Sequence, residues 1–155
     1  MELILASASP RRRELLDQIG VAHLCEPANI DESRLAGEKP EDYVLRMARE
    51  KAAAVASRHS GGSLAVLAAD TSVVIDEDVL GKPGDHFEAL GMLARLSGRS
   101  HRVLTGICLN TQRGEVLSEM VETKVREQCR LYRHGQQVQD VNFHPELPIF
   151  ASCSE

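Results

Sequence analysis

The sequence predicts an α/β protein with a central, twisted, mixed sheet flanked by helices. Three observations carry this. Leu3-Ile4-Leu5 is a short apolar run, followed closely by the helix-opening pair Ser9-Pro10. Leu64 to Ala69 is almost unbroken in apolar side chains, as in a strand buried on both faces, and it follows a long amphipathic pattern that starts at Pro40. His101 to Leu109 and Glu115 to Arg126 read as two strands joined through a turn at 110–114. Strand and helix patterns that alternate in this way build layered α/β domains.

The elements follow in order. Glu2 to Ala6 is strand-like. Pro10 to Ile19 is a helix: Ser9 can cap it, proline suits its first position, and Gly20 stops it. Ala22 to Glu26 is a short strand candidate, and Pro27 to Lys39 is a polar loop containing Asp31-Glu32. Pro40 opens the long helix, with Glu41 and Asp42 favourably placed in its first turn. Val44, Met47, Ala48, Lys51, Ala52 and Val55 share one stripe of it. Ser60 to Ser63 is a loop. The strand from Leu64 continues through Asp70-Thr71 to Ile75, and Asp76-Glu77-Asp78 turns it into Val79-Leu80 as a hairpin. Gly81-Lys82-Pro83 is a sharp loop. Residues 85–97 form a helix ended by Gly98, with Phe87, Leu90, Leu93, Ala94 and Leu96 expected inward.

Composition narrows the function. The chain has 155 residues, 43% hydrophobic and 26% charged, enough for one domain with a real core. No apolar run approaches a membrane span and the N-terminus lacks a signal layout, so a cytoplasmic protein is expected. Cys25, Cys108, Cys129 and Cys153 lie far apart without a C-x-x-C pair, and read as ordinary thiols. The six histidines form no metal-binding pair. A net charge of −5 argues against a nucleic-acid polymer, and aromatics at 3% supply few stacking platforms. Neither excludes a small anionic ligand in a local basic pocket.

Three arginines, Arg11 to Arg13, crowd the start of the first helix, where cations oppose the helix dipole. They form either a phosphate cradle with Ser7, Ser9 and free backbone N–H groups, or a solvated surface face. Lys51, on an otherwise apolar stripe, either snorkels to water or points into a cleft. Asp70 ends a buried strand segment, where open α/β sheets present ligand residues, or else it caps a turn.

Leu5 to Leu16 resembles the opening motif of the Maf family of nucleoside triphosphate pyrophosphatases. Ile30-Asp31-Glu32, Tyr43 to Ala52, Ala68-Ala69-Asp70-Thr71, Leu80-Gly81-Lys82-Pro83, and Leu96-Ser97-Gly98 with His101 to Gly106 follow in the family's order. The resemblance covers residues 1–126 and implies a fold of the Maf and inosine-triphosphatase type. It also implies metal-dependent cleavage of a nucleoside triphosphate to the monophosphate and pyrophosphate. Such chemistry needs a divalent ion on phosphate oxygens, cations to neutralise spreading charge, and a base for water. The resemblance makes Asp70 the proton acceptor, Glu32 and Asp70 the ligands of Mg²⁺ or Mn²⁺, and Ser7, Arg11, Arg12, Lys51, Thr71 and Lys82 the substrate contacts. Ala-Asp-Thr and Ser-Pro-Arg-Arg look most like the branch acting on dTTP and UTP. A homodimer is an open option.

Residues 127–155 depart from the family pattern and are expected as a separate, atypical tail. The Glu-Pro and Lys-Ala-Gly-Ala-Tyr region with its nearby glutamine is absent. Val138 to Pro145 and Ile149 to Ser154 faintly resemble part of a WD-repeat blade, which cannot bury its face alone. Two alternatives therefore stand beside the hydrolase: a nucleotide-binding module with little turnover, and an interaction protein acting through the tail.

Overall fold

The computed structural model describes residues 2–59, 63–111 and 115–126. Its elements are β1 (Glu2–Leu5), α1 (Pro10–Gln18), β2 (Leu24–Cys25), α2 (Pro40–Ala56), β3 (Leu64–Ile75), β4 (Asp78–Leu80), α3 (His86–Leu96), β5 (Ser100–Thr111) and β6 (Val116–Arg126). The expected tail, 127–155, lies outside the described residues.

β3 is the spine of the sheet, whose order is β2-β1-β3-β5-β6 with β4 also on β3. On one edge, β3 pairs antiparallel with β5 from Ala65 to Val74. Its other edge is shared. Leu64 to Leu67 run parallel to β1, and Val73 to Ile75 run antiparallel to β4. Between them, residues 68–72 have no strand neighbour on that edge, and Asp70 lies at the middle of this gap. The sheet is therefore mixed, as the sequence predicts.

The β3–β4 hairpin closes on Asp76 and Glu77, with φ of 49° and 66°. Two positive φ values match the right-handed twist of a two-residue hairpin, although acids replace the commoner glycine.

Alternation along β3 sends its even-numbered side chains to one face and odd-numbered ones to the other. α2 covers the even face. Ala48, Ala52 and Val55 pack on Ile4, Val66, Ala68 and Cys108, while Tyr43, Val44 and Met47 pack on Val74 and Leu104. Fully burying Val44, Met47 and Val55 contributes on the order of 1.5–3 kcal/mol each. This burial, not capping, fixes α2, because Lys39 makes no side-chain cap bond. α2 comes close to the sheet at Gly106 of β5, where a Cβ would stand 2.4 Å from the Val44 carbonyl oxygen.

The odd face carries α1 and α3. Met92 and Leu96 of α3 close over Val73, Ile75 and Val103. The inward set expected for this helix needs correction: Phe87 is 83% exposed, Leu90 is 49% exposed and Ala94 is exposed. Leu93 and Leu96 turn inward as expected, and Ala89 and Met92 join them. Both sets have helical spacing and share Leu93 and Leu96, and packing on Val73, Ile75 and Val103 selects the one with Met92; Asp85 caps the helix. Its carboxylate accepts from the Glu88 N–H at 2.8 Å.

Candidate active site

The loop between β1 and α1 forms as its residue types dictate. Ser9 caps α1 by accepting from the Arg12 N–H at 3.4 Å, and Ser7 Oγ accepts from the Ser9 N–H at 3.1 Å. Beside this loop opens a cavity of about 380 Å³. Its walls include Ser7, Ser9 and Arg12 on one side, Pro27 to Asn29 and Glu32 on another, with Lys51 and Lys82 completing it.

At its floor Lys51 joins two carboxylates from distant parts of the chain. Its Nζ lies 2.7 Å from Asp70 Oδ1 and 2.9 Å from Glu32 Oε1. Lys51 comes from α2, Asp70 from the gap in β3, and Glu32 from the loop before α2. Of its two sequence readings, Lys51 takes the cleft. Its side chain is 11% exposed and fully engaged in ion pairs, so it does not snorkel. Asp70 is buried behind it, and Ser72 Oγ also donates to Asp70, at 3.5 Å.

Burial pushes the Glu32 carboxyl up, but the Lys51 hydrogen bond and the charges of Lys51, Lys82 and Arg12 outweigh it, leaving the pKa lowered. Tyr43 sits close by and its hydroxyl donates to the Glu32 backbone carbonyl at 2.8 Å. Burial, then the negative charges of Asp70 and Glu32, push its phenol up to about 12.

Arg12 fills the gap in the β3 edge. Its Nη1 donates to the Ala69 carbonyl at 2.9 Å, in the place where a ladder partner would bond, and to Ser7 Oγ at 3.4 Å. Its Nη2 donates to Thr71 Oγ1 at 3.2 Å. The guanidinium thus holds the Ala69 carbonyl on one side of Asp70 and the Thr71 hydroxyl on the other, while one part of it lines the cavity.

The eight candidate residues divide by place. Ser7, Arg12, Glu32, Lys51 and Lys82 line the cavity, and Asp70 stands behind Lys51. Thr71 faces the opposite side of the sheet, as neighbours in a strand must, and bonds Arg12 and Thr105 there. Arg11 lies along α1 with its Nη1 3.7 Å from Glu14. Sequence reasoning did not single out Tyr43, Arg46 or the Pro27–Asn29 wall. It also missed the helix contact at Gly106, although a glycine inside a strand pattern is a signal of close backbone approach.

Two carboxylates suit a hard divalent cation that keeps waters and takes its remaining ligands from substrate phosphates. Among the described residues no group of three or more His, Cys, Asp or Glu gathers.

These features define a layered α/β protein with a cleft, lined by Arg12, Lys51, Lys82 and Glu32, beside the gap in its central strand. The chain belongs to the Maf-like protein family, whose sequence pattern matches residues 2–132. It is 56% identical over 128 residues to a dTTP/UTP pyrophosphatase of Anaeromyxobacter sp. (strain Fw109-5), covering 80% of this chain and 60% of that protein. It is 54% identical over 123 residues to a dTTP/UTP pyrophosphatase of Myxococcus xanthus (strain DK1622), covering 79% and 61%. The chain thus spans about three fifths of the length of these relatives. Among solved structures, it resembles a nucleoside-triphosphatase / dITP/XTP pyrophosphatase of Mycobacterium abscessus, with a TM-score of 0.53 at 22% identity, covering 81% of this chain and 74% of that one. The Staphylococcus aureus Ham1 protein gives a TM-score of 0.53 at 12% identity, covering 88% and 77%. Those two likenesses show the fold. No helix among the described residues is long and apolar enough to cross a membrane.

Proposed function

We propose that this chain hydrolyses nucleoside triphosphates, dTTP and UTP first, to the monophosphate and pyrophosphate with the help of Mg²⁺ or Mn²⁺. The observation that carries the proposal is the Asp70–Lys51–Glu32 cluster at the floor of a cavity whose walls hold Arg12, Lys82 and the capped start of α1. The pyrimidine preference rests on the names of the relatives.

The residues divide the work. Water attacks the α-phosphorus, its proton passes to the Asp70 carboxylate, and the bond to the α–β bridging oxygen breaks to release pyrophosphate. Lys51 orients that carboxylate. Arg12, held in place by Ser7, Ala69 and Thr71, and Lys82 neutralise charge on the phosphate chain as positive charges at the cavity wall. Ser7 and the N–H groups at the start of α1 accept a phosphate in the geometry that helix N-termini favour. A divalent ion held by Glu32 and Asp70 would supply charge stabilisation on the phosphoryl oxygens. The cytoplasm, where nucleotides are made and used, is the compartment this substrate implies.

Pyrophosphate release from a panel of nucleoside triphosphates with Mg²⁺ or Mn²⁺ tests the proposal. Wild type turns over dTTP and UTP, and Asp70→Asn loses about 10²–10⁴-fold, the span of a general base. Equal rates in that variant would remove Asp70 from the proposed role. A second reading, nucleotide binding without turnover, is favoured by Lys51 already pairing with both carboxylates that would hold the ion. Thermal stabilisation by dTTP without pyrophosphate release would select it. The interaction role expected of the tail concerns residues outside those described.

A further inference from the structure

The loop that delivers Glu32 has no regular structure, and its side chains from Asp31 to Gly37 are exposed. A segment of this kind does not by itself hold a carboxylate 2.9 Å from a lysine. α2 and the residues just past its end hold it at three places. Beyond the C-terminus of α2, Arg58 Nη1 reaches Glu26 Oε1 at 2.8 Å and the Pro27 carbonyl at 3.1 Å, and His59 Nε2 lies 2.7 Å from Glu26 Oε2. In the middle, the Tyr43 hydroxyl holds the Glu32 carbonyl. At the far end, Arg46 grips Glu38 with both prongs, Nε to Oε1 at 2.6 Å and Nη2 to Oε2 at 2.9 Å. Its Nη2 also donates to the Ser33 carbonyl at 2.8 Å.

The consecutive carbonyls of Glu32 and Ser33 are thus tied to side chains one helical turn apart on the helix that carries Lys51. Glu38 closes the loop on itself by accepting from the Leu35 N–H at 3.1 Å, and its side chain is 8% exposed. The Arg46 guanidinium lies 5.7 Å from the Tyr43 ring centroid, which couples the two clamps. Neither residue lines the cavity. The Arg46 hydrogen bonds hold the Glu38 carboxyl down to about 2, so this pair stays charged over the whole working range.

We infer that Arg46 and Tyr43 are positioning residues that set the Glu32 carboxylate for its cation by clamping the backbone of residues 32–38 to α2. The inference rests on the hydrolase reading for what Glu32 does, but the clamp itself can be measured without it. Lysine at position 46 cannot replace the arginine, because one ammonium does not span two carboxylate oxygens and a carbonyl in one plane.

The test uses the full chain and three readouts. Hydrogen exchange at the Leu35 amide reports the clamp. Mn²⁺ binding by paramagnetic resonance, with the non-hydrolysable α,β-imido analogue of dTTP present, reports Glu32. Steady-state hydrolysis of dTTP reports turnover. For Arg46→Met, Leu35 exchanges faster, while Mn²⁺ affinity and kcat each fall about tenfold, in the range for residues that orient a metal ligand. KM for dTTP stays within about twofold, since the phosphate contacts remain. Arg46→Lys does not restore Mn²⁺ affinity. Tyr43→Phe removes only a hydroxyl and covers the case in which Arg46→Met fails to fold. It weakens Mn²⁺ binding in the same direction by a smaller factor. Faster exchange with unchanged Mn²⁺ affinity and kcat would overturn the positioning role and leave Arg46 a loop anchor. Unchanged exchange would overturn the clamp. A wild type inert to both Mn²⁺ and dTTP would overturn the hydrolase reading first, and the positioning role with it.

Discussion

Replacing Gly106 by alanine tests how the site is assembled. Gly106 pairs with Asp70 across the β3–β5 ladder, and α2 crosses the sheet directly above it. An added Cβ would meet the Val44 carbonyl oxygen at 2.4 Å, its carbon at 2.6 Å and the Leu45 nitrogen at 3.0 Å. All three are backbone atoms, so no side chain can swing aside. Ordinary contact begins near 3.4 Å, so α2 must retreat by about 1 Å. Overpacking of this kind costs about 1–3 kcal/mol. The lost freedom of the unfolded chain returns about 0.4–1 kcal/mol, because Gly106 has no left-handed φ that alanine would strain. The clash wins by about 1–2 kcal/mol, which lowers Tm by about 3–6 °C in a chain of this size. Turnover suffers more. Lys51 rides on α2 and Asp70 on β3, and a shift near 1 Å between them costs about a hundredfold. Thermal unfolding and pyrophosphate release from dTTP measure the two effects. Gly91→Ala is the control, since nothing lies within 4 Å of its Cβ and alanine favours a helix. A Gly106→Ala protein as stable as wild type, with full turnover, would refute the reasoning.

Two further outcomes follow from the same cluster. Lys51→Met leaves the Asp70 and Glu32 carboxylates without their shared cation. It should cost about 3 kcal/mol at neutral pH, as broken buried pairs do, with part recovered at a pH where the carboxyls protonate. Urea unfolding at both pH values measures this, and a variant matching wild type at each would contradict it. Tyr43, with its pKa raised to about 12, favours the folded state fully below pH 10 and loses that contribution as pH rises through about 12. In a Tyr132→Phe protein, absorbance titration of the remaining phenol should show ionisation near pH 12, and a midpoint near 10 would contradict the burial and charge placed around it.

What the sequence revealed depended on how each residue acts. The β3 run and the α2 stripe were legible because burial on two faces or one leaves an unmistakable period in the apolar residues. α3 carries two overlapping apolar sets that share Leu93 and Leu96, and only the sheet beneath it chooses between them. Asp70 and Lys51 stood out because each breaks an apolar pattern that would otherwise continue. Tyr43 and Arg46 did not. Each bonds a backbone carbonyl, which every residue has, and the carboxylate that Arg46 grips, Glu38, lies in an irregular loop where no period pairs it with α2. Thr71 is adjacent to Asp70 in sequence and on the other side of the sheet in space, which strand alternation already requires.

The broken edge of β3 has a consequence for how this scaffold tolerates change. One margin of the strand is stitched to β5 along its length and sets the frame. The other margin is interrupted, and an arginine fork stands where a strand would pass. Loops that border the interruption can vary in length and chemistry without disturbing the stitched side. Innovation and persistence are thereby assigned to opposite margins of a single strand.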